Sequence, residues 1–259
     1  MNTSIISWTN RSWNPVHGCS KVSSGCRNCY AERLSLQKGF TKLPWTPANA
    51  AGNVQEKPHK LAEPSRLKEP SRIFVNSMSD LFHEAISDEY RARIFSVMES
   101  CPQHVFQVLT KRSERLGSWP GPWLDNIWMG VSVENKATMK RIDDLRGCGA
   151  SIKFVSCEPL LEPIPHLDLS GIDWLIVGGE SGPGFRPMNH EWVWNMRDLC
   201  ISTGTAFFFK QSSAYRTELG TSLQHEDGAF WSWQQYPGKP SQPTPADSHK
   251  YIYRDTMAE

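Results

Sequence analysis

Three of the seven cysteines in this chain of 259 residues, Cys19, Cys26 and Cys29, fall inside one stretch, WNPVHGCSKVSSGCRNCYAER, at residues 13–33. The spacing is C-x6-C-x2-C. Gly18 and Gly25 each stand immediately before a cysteine, where a residue without Cβ lets the backbone approach a bound object closely. Three thiols are an odd number for disulfides, and three thiolates in one loop suit a soft metal or a cluster. Two chemistries fit. Three cysteines can hold a [4Fe–4S] cluster and leave one iron open. Alternatively, His17 can join the three cysteines in a closed Cys3His zinc site, as C-x2-C is a common zinc half-site.

The rest of the chain must position that loop, and its hydrophobic pattern alternates between strand and helix. After the loop, YAERLSLQKGF reads as a helix stopped by Gly39. Residues 41–72 hold Pro44, Pro47, Pro58, Pro64 and Pro70 and read as a connector. The apolar runs RIFVNSMSD, HVFQVLTKR, IWMGVSVE, SIKFVSCEP, DWLIVGGES and AFFFKQ follow as strands. Between them, SDEYRARIFSVMESC places Tyr90, Ile94, Phe95 and Met98 on one helical face, with Ser87 at its N-cap. NKATMKRIDDLRGC and HEWVWNMRDLCIST are also helical, the latter closed by Gly204. A short first strand near Ile5–Thr9 brings the count from six to seven. Strands separated by helix-length connections pair in parallel through right-handed crossovers. The expected fold is therefore α/β. It is a partial or nearly closed parallel (β/α) TIM-like barrel over residues 1–211, with 212–259 an irregular C-terminal cap ending in a strand at KYIYR.

Each apolar run ends in polar residues, and in a parallel barrel all those ends share one face, where active sites of this architecture sit. The first ends in Asn76, Ser77, Ser79 and Asp80, the second in Thr110, Lys111 and Arg112, and the third in Ser132 and Glu134. Cys157 and Glu158 follow, then Gly178, Gly179, Glu180 and Ser181, and last Lys210 and Gln211. Some of these are polar simply because the chain leaves the core there. Charges so close to apolar runs are costly unless paired or used, and Lys111 and Glu134 can pair across neighbouring strand mouths.

Composition narrows the class. With 39% apolar and 21% charged residues the chain can build a large core, which excludes global disorder. A formal net charge of +1 gives no general attraction to polyanions. The N-terminal residues MNTSIISWTN lack the features of a signal peptide, and no apolar run reaches the length of a membrane span. A cytoplasmic protein with reduced thiols is expected, not a membrane protein. Cys101, Cys148 and Cys200 fall near helix ends and read as structural.

The strings SWNPVHGCSKVSSGCRNCYAER, FVNSMSDLFHE, FQVLTKR, GVSVEN, FVSCEPLL, VGGESGPGFRPM and FFFKQ cover much of residues 7–211. They resemble the phage- and bacterium-associated three-cysteine-motif family of uncharacterised proteins, which is similar to the radical S-adenosylmethionine superfamily. The resemblance implies a [4Fe–4S] cluster on Cys19, Cys26 and Cys29 whose open iron chelates S-adenosylmethionine. It also implies an electron donor that drives cleavage to methionine and a 5′-deoxyadenosyl radical. Ser77, Ser79 and Asp80 would hold the amino acid end of the cofactor, Lys111 its carboxylate, and Ser132 or Glu134 its ribose. Gly178 and Gly179 match part of the Gly-Gly-Glu that binds the cofactor's amino group in the superfamily. Glu158, Glu180 and Lys210 would face the substrate, and Cys157 could donate a hydrogen atom, although a lone cysteine in an apolar run is more often a small buried residue. The phage association points to a nucleic acid or nucleotide substrate. The chain departs from the superfamily pattern: its first cysteine gap is six instead of three, Asn28 stands where an aromatic precedes the last cysteine, and Gly-Gly-Glu follows a later strand. The zinc reading implies a nucleic-acid-binding or accessory module on the same barrel.

Overall fold

The computed structural model describes residues 1–224, 228–238 and 244–245. Near the N-terminus β1 (Asn2–Thr3) pairs antiparallel with β2 (Arg11–Trp13). β3 (Val16–His17) leads into the cysteine loop, which contains one 3-10 turn at Ser24–Cys26, and α1 (Tyr30–Gln37) follows. The connector holds α2 (Ala50–Asn53) and β4 (Gln55–Glu56), and β4 pairs antiparallel with β3. Then come β5 (Arg72–Val75), α3 (Asp88–Glu99), β6 (Val105–Thr110), β7 (Ile127–Ser132), α4 (Arg141–Arg146) and β8 (Ile152–Cys157). β9 (Trp174–Gly178), α5 (His190–Thr203) and β10 (Ala206–Gln211) complete the main unit.

The main sheet has the order β1-β2-β5-β6-β7-β8-β9-β10. Its last seven strands are all parallel. They curl into a half-barrel, a partial TIM-like arrangement whose two edges do not pair with each other among the described residues. Not every helix-length link is a helix: β6 and β7 are joined through a 3-10 turn at Ser113–Arg115, and among the described residues the Pro-rich link between β8 and β9 is a loop. Pro120, Pro122, Pro159, Pro163 and Pro165 in those links lack the N–H that a helix interior needs. One expectation needs correction, the position of the first strand. The first barrel strand is Arg11–Trp13, not Ile5–Thr9. Residues 5–8 form turns that carry Trp8 into the curl, where its ring lies 4.7 Å from Phe74 and 6.2 Å from Trp174.

The period-2 alternation of strand side chains divides the core in two. On the outer face Ile73, Val75, Val108, Met129, Val155 and Leu175 pack with Ile94, Phe95 and Met98 of α3, Leu145 of α4 and Val193 of α5. On the inner face Phe74, Phe154, Trp174, Ile176 and Phe208 surround Trp8. Gly130 also lies on the inner face: a Cβ there would stand 2.4 Å from the Phe154 ring. Continued past the strand ends, the inward parity runs from 74 to Asn76, from 109 to Lys111, from 130 to Ser132 and Glu134, from 156 to Glu158, and from 208 to Lys210. The apolar plug therefore passes upward into a polar ring at the carboxyl ends.

The helices start and stop as their sequences require. Ser87 Oγ accepts the Tyr90 N–H at 3.2 Å to cap α3, and Asn189 Oδ1 accepts that of Glu191 at 2.9 Å to cap α5. Gly204, at φ 73°, ends α5. The C-terminal cap is more regular than expected. β11 (Leu223–Gln224), β12 (Phe230–Ser232) and β13 (Thr244–Pro245) form a small antiparallel sheet. The expected strand at KYIYR lies outside the described residues. Among the described residues, no helix is long and apolar enough to cross a membrane.

Candidate functional site

A cavity of about 200 Å³ opens at the carboxyl ends of the parallel strands, and Cys19, Cys26 and Cys29 all line it. All three are free thiols and half-buried. The loop reaches the strand ends through specific contacts. Gly18 N–H donates to Met78 O at 3.0 Å, and Ser79 Oγ donates to Gly18 O at 2.6 Å. Gly18 holds φ 86°, and a Cβ there would fall 2.0 Å from Asn53 O, so this position requires glycine. Cys29 is the residue before the first turn of α1.

Ion pairs and hydrogen bonds fix the polar ring. Lys111 Nζ stands 3.1 Å from Glu134 Oε1, and Arg141 Nη1 donates to Glu134 Oε2 at 2.9 Å. Ser23 Oγ, from the cysteine loop, donates to Glu134 Oε1 at 3.0 Å. Lys210 Nζ lies 2.9 Å from Glu158 Oε1, and Ser156 Oγ donates to Glu158 Oε2 at 2.9 Å. Glu180 pairs with Arg186 and accepts from Asn28 Nδ2 at 2.9 Å, which ties the loop after β9 to the cysteine loop. Asp80 accepts from Thr110 Oγ1 at 2.7 Å and from the Lys111 N–H at 3.0 Å.

Arg112 joins this ring to the first cysteine. Its guanidinium donates to Cys19 Sγ at 3.5 Å, to Ser20 O at 3.1 Å and to Ser20 Oγ at 2.9 Å, with Asp80 at 3.4 Å and Glu84 at 2.9 Å as counter-ions. Burial pushes the Cys19 thiol up to about 12. Asp80 adds to that shift and Arg112 opposes it. Burial likewise raises the Cys29 thiol, while the N–H groups of Glu32 and Ala31 act the other way. For Glu134, burial acts to raise the carboxyl pKa, but Lys111 and Arg141 outweigh it and hold it below the ordinary value.

A family model described as "Protein of unknown function (DUF5131)" matches residues 3–240. The chain belongs to this family. No curated protein and no solved structure matches it. The match takes in the cysteine loop and all seven parallel strands, so the whole cavity of this DUF5131 protein lies within the family's common region.

Most of the residues expected at the site line the cavity. Ser77, Ser79 and Asp80 do so at the end of β5, with Lys111 and Ser132 beside them. Glu158, Gly179, Glu180 and Lys210 complete the ring. Three do not. Cys157 is fully buried in the outer core, because its odd position on β8 points it away from Ser156 and Glu158. It therefore has no place as a hydrogen donor in the cavity. Glu134 lies behind Lys111 as its counter-ion, and Gly178 packs against Glu158, whose Oε1 would be 3.0 Å from a Cβ there. His17 does not line the cavity: its Nε2 lies 3.4 Å from Lys60 Nζ and its ring 5.0 Å from Phe40. Among the described residues, no group of three His, Cys, Asp or Glu is arranged to hold one metal ion.

Arg112, Asn28 and Ser23 are further neighbours of the cysteine loop that sequence reasoning does not assign. Arg112 directly follows the expected Lys111, but nothing local shows that its side chain turns to a cysteine 93 positions away. Asn28 directly precedes Cys29, and its amide reaches Glu180, 152 positions away.

Proposed function

We propose that this DUF5131 protein is a radical S-adenosylmethionine enzyme whose three cysteines carry a [4Fe–4S] cluster, acting on a nucleotide or nucleic acid. One observation carries the reading. Cys19, Cys26 and Cys29 line the same cavity as the inward-facing polar residues at the ends of β5 to β10. Three unpaired thiols on one cavity match the donor set of a cluster with one open iron. Each thiolate of such a cluster binds a different iron, so the donors need not converge on a single point. The zinc reading needs His17, which is engaged with Lys60.

When bound, the cluster and S-adenosylmethionine supply a carbon radical able to remove a hydrogen atom from a substrate. The chain's own part is to position and to seal. Arg112, donating to Cys19 Sγ, orients the first cysteine and would tune a cluster as an outer-shell donor. Lys111, Lys210, Arg112 and Arg186 are each matched by a carboxylate, so the walls carry little net charge toward a ligand. Lys111 is the cation placed to meet a ligand carboxylate, with Ser77, Ser79 and Asp80 beside it for an ammonium. Below them Trp8, Phe74 and Leu109 form an apolar floor that excludes water from the reacting centre.

Anaerobic reconstitution with iron and sulfide tests this. The wild type should take up roughly four irons per chain and, under a strong reductant, release 5′-deoxyadenosine from S-adenosylmethionine. The Cys19→Ala, Cys26→Ala, Cys29→Ala triple variant should do neither. A folded wild type that takes up no iron, or loads iron and leaves S-adenosylmethionine intact, would end the proposal. One zinc per chain in its place would restore the zinc reading.

A further inference from the structure

Where the apolar plug meets the polar ring, two residues that line the cavity each carry a buried donor without a partner among the described residues. Asn76 lines it at the tip of β5, is 3% exposed, and has an unpaired Nδ2. Its orientation is fixed from the other side, because Asn76 Oδ1 accepts the Val16 N–H at 3.2 Å, which leaves the amino group turned away from that bond. The backbone is held at φ 63°, a left-handed conformation that asparagine tolerates and most residues do not. Trp8, which also lines the cavity, is 2% exposed and has an unpaired Nε1. A buried N–H left unpaired is costly, and such groups in a cavity wall are satisfied when a ligand brings acceptors.

Both groups are neutral donors and neither is an acceptor, so the complement is a ligand edge with neutral acceptors. Ile6, Phe74 and Leu109 line the cavity around them. Desolvating a carboxylate or phosphate against that apolar wall would be expensive, and the two donors, being neutral, would not compensate its charge. A flat heterocycle with ring nitrogens or carbonyl oxygens meets all of these conditions. We infer that Asn76 Nδ2 and Trp8 Nε1 form a nucleobase subsite in the floor of the cavity. The inference deepens the reading of a nucleotide ligand given above, but the subsite is built from this chain alone and does not need a cluster. The base can belong to a nucleoside substrate or to the adenosyl group of a cofactor; the same two donors serve either.

Calorimetric titration of the cluster-free protein with adenosine, guanosine, cytidine, uridine and S-adenosylhomocysteine tests it without any activity assay. At least one of the five should bind. Adenosine and S-adenosylhomocysteine binding together marks the cofactor's base, and another nucleoside marks the substrate's. Asn76→Asp keeps the acceptor for Val16 N–H and removes the amino donor, and Trp8→Phe keeps a ring and removes Nε1–H. Each should weaken the observed binding by roughly tenfold, the size of one lost hydrogen bond in a dry site. Thermal melts report folding, and if the buried carboxylate introduced by Asn76→Asp unfolds the protein, Trp8→Phe decides alone. No binding by any of the five compounds, or affinities unchanged in the folded variants, overturns the subsite. Failure of iron uptake would leave this result standing, so the two ideas fail separately.

Discussion

Gly25 is packed on the carboxylate of Glu134, close enough that a Cβ built on it would stand 2.4 Å from Glu134 Cγ and 2.5 Å from Oε1. The glutamate has nowhere to go. Lys111, Arg141 and Ser23 hold its two oxygens, and it is fully buried. Gly25→Ala must therefore push the cysteine loop outward. It should cost about 1–3 kcal/mol, the range for an overpacked site, and it should lower iron uptake on reconstitution because Cys26 is the next residue. Denaturant melts and iron analysis of the variant check both. An alanine variant as stable and as iron-competent as the wild type would mean that the loop is not seated on Glu134.

Glu134 also binds two cations that have few other partners. Glu134→Gln keeps the shape and removes the charge, leaving Lys111 and Arg141 uncompensated in a buried place. A loss of about 3 kcal/mol is expected. The pH dependence has a definite sign. Because the folded-state pKa lies below the ordinary carboxylate value of 4.5, the stabilisation is complete above that pH. It is lost as pH falls from there through the lower folded-state value. Unfolding free energies between pH 6 and 3 should show a steeper acid limb for the wild type than for Glu134→Gln, and equal slopes would remove Glu134 as the cause.

Arg112 makes a prediction of a different kind, since a lysine keeps its charge but not its fork. Four protein groups besides Asp80 accept from the guanidinium: Cys19 Sγ, Ser20 O, Ser20 Oγ and Glu84. One ammonium cannot reach all of them. Arg112→Lys should lose about 2 kcal/mol or more and free the Cys19–Ser20 segment. Faster alkylation of Cys19, read by mass spectrometry, would register the loosening. Unchanged alkylation would show that Arg112 does not hold the cysteine.

The half-barrel is legible in the sequence because its strands are apolar runs with one polar end each, and that pattern alone orders β5 to β10. The inward parity is legible too, once each run has a defined end: Lys111, Glu158 and Lys210 follow from counting in twos. Cys157 falls one step off that same count, since adjacent strand residues point to opposite faces and Glu158 takes the inward one. Trp8 is out of reach for another reason. A segment rich in β-formers reads as a strand, and only the space left inside an unclosed sheet makes a turn that inserts an indole the better solution. The contacts of Arg112 to Cys19 and Asn28 to Glu180 join positions 93 and 152 apart, and no local pattern encodes such meetings.

His83 ties the stability of the same loop to neutral pH. It is fully buried, its Nδ1 accepts the Ala85 N–H at 3.0 Å, and its Nε2 lies 2.9 Å from Ser20 Oγ. With Nδ1 an acceptor, the neutral ring carries its proton on Nε2 and donates to Ser20. Burial, reinforced by Arg112, lowers its pKa from 6.5 to about 4. The unfolded chain takes up this proton near 6.5 and the folded chain only near 4. Stability is therefore full above the unfolded value and falls as pH drops between the two. Between pH 7.5 and 5 the loss from this one group is on the order of 2 kcal/mol, and His17, also lowered to about 4, adds to it. Urea unfolding at the two pH values should show the drop in the wild type. His83→Asn keeps an acceptor near the Ala85 N–H and cannot titrate, so it should retain only the part due to His17. A drop of full size in that variant would mean that the buried imidazole is not what the acid side of neutrality acts upon.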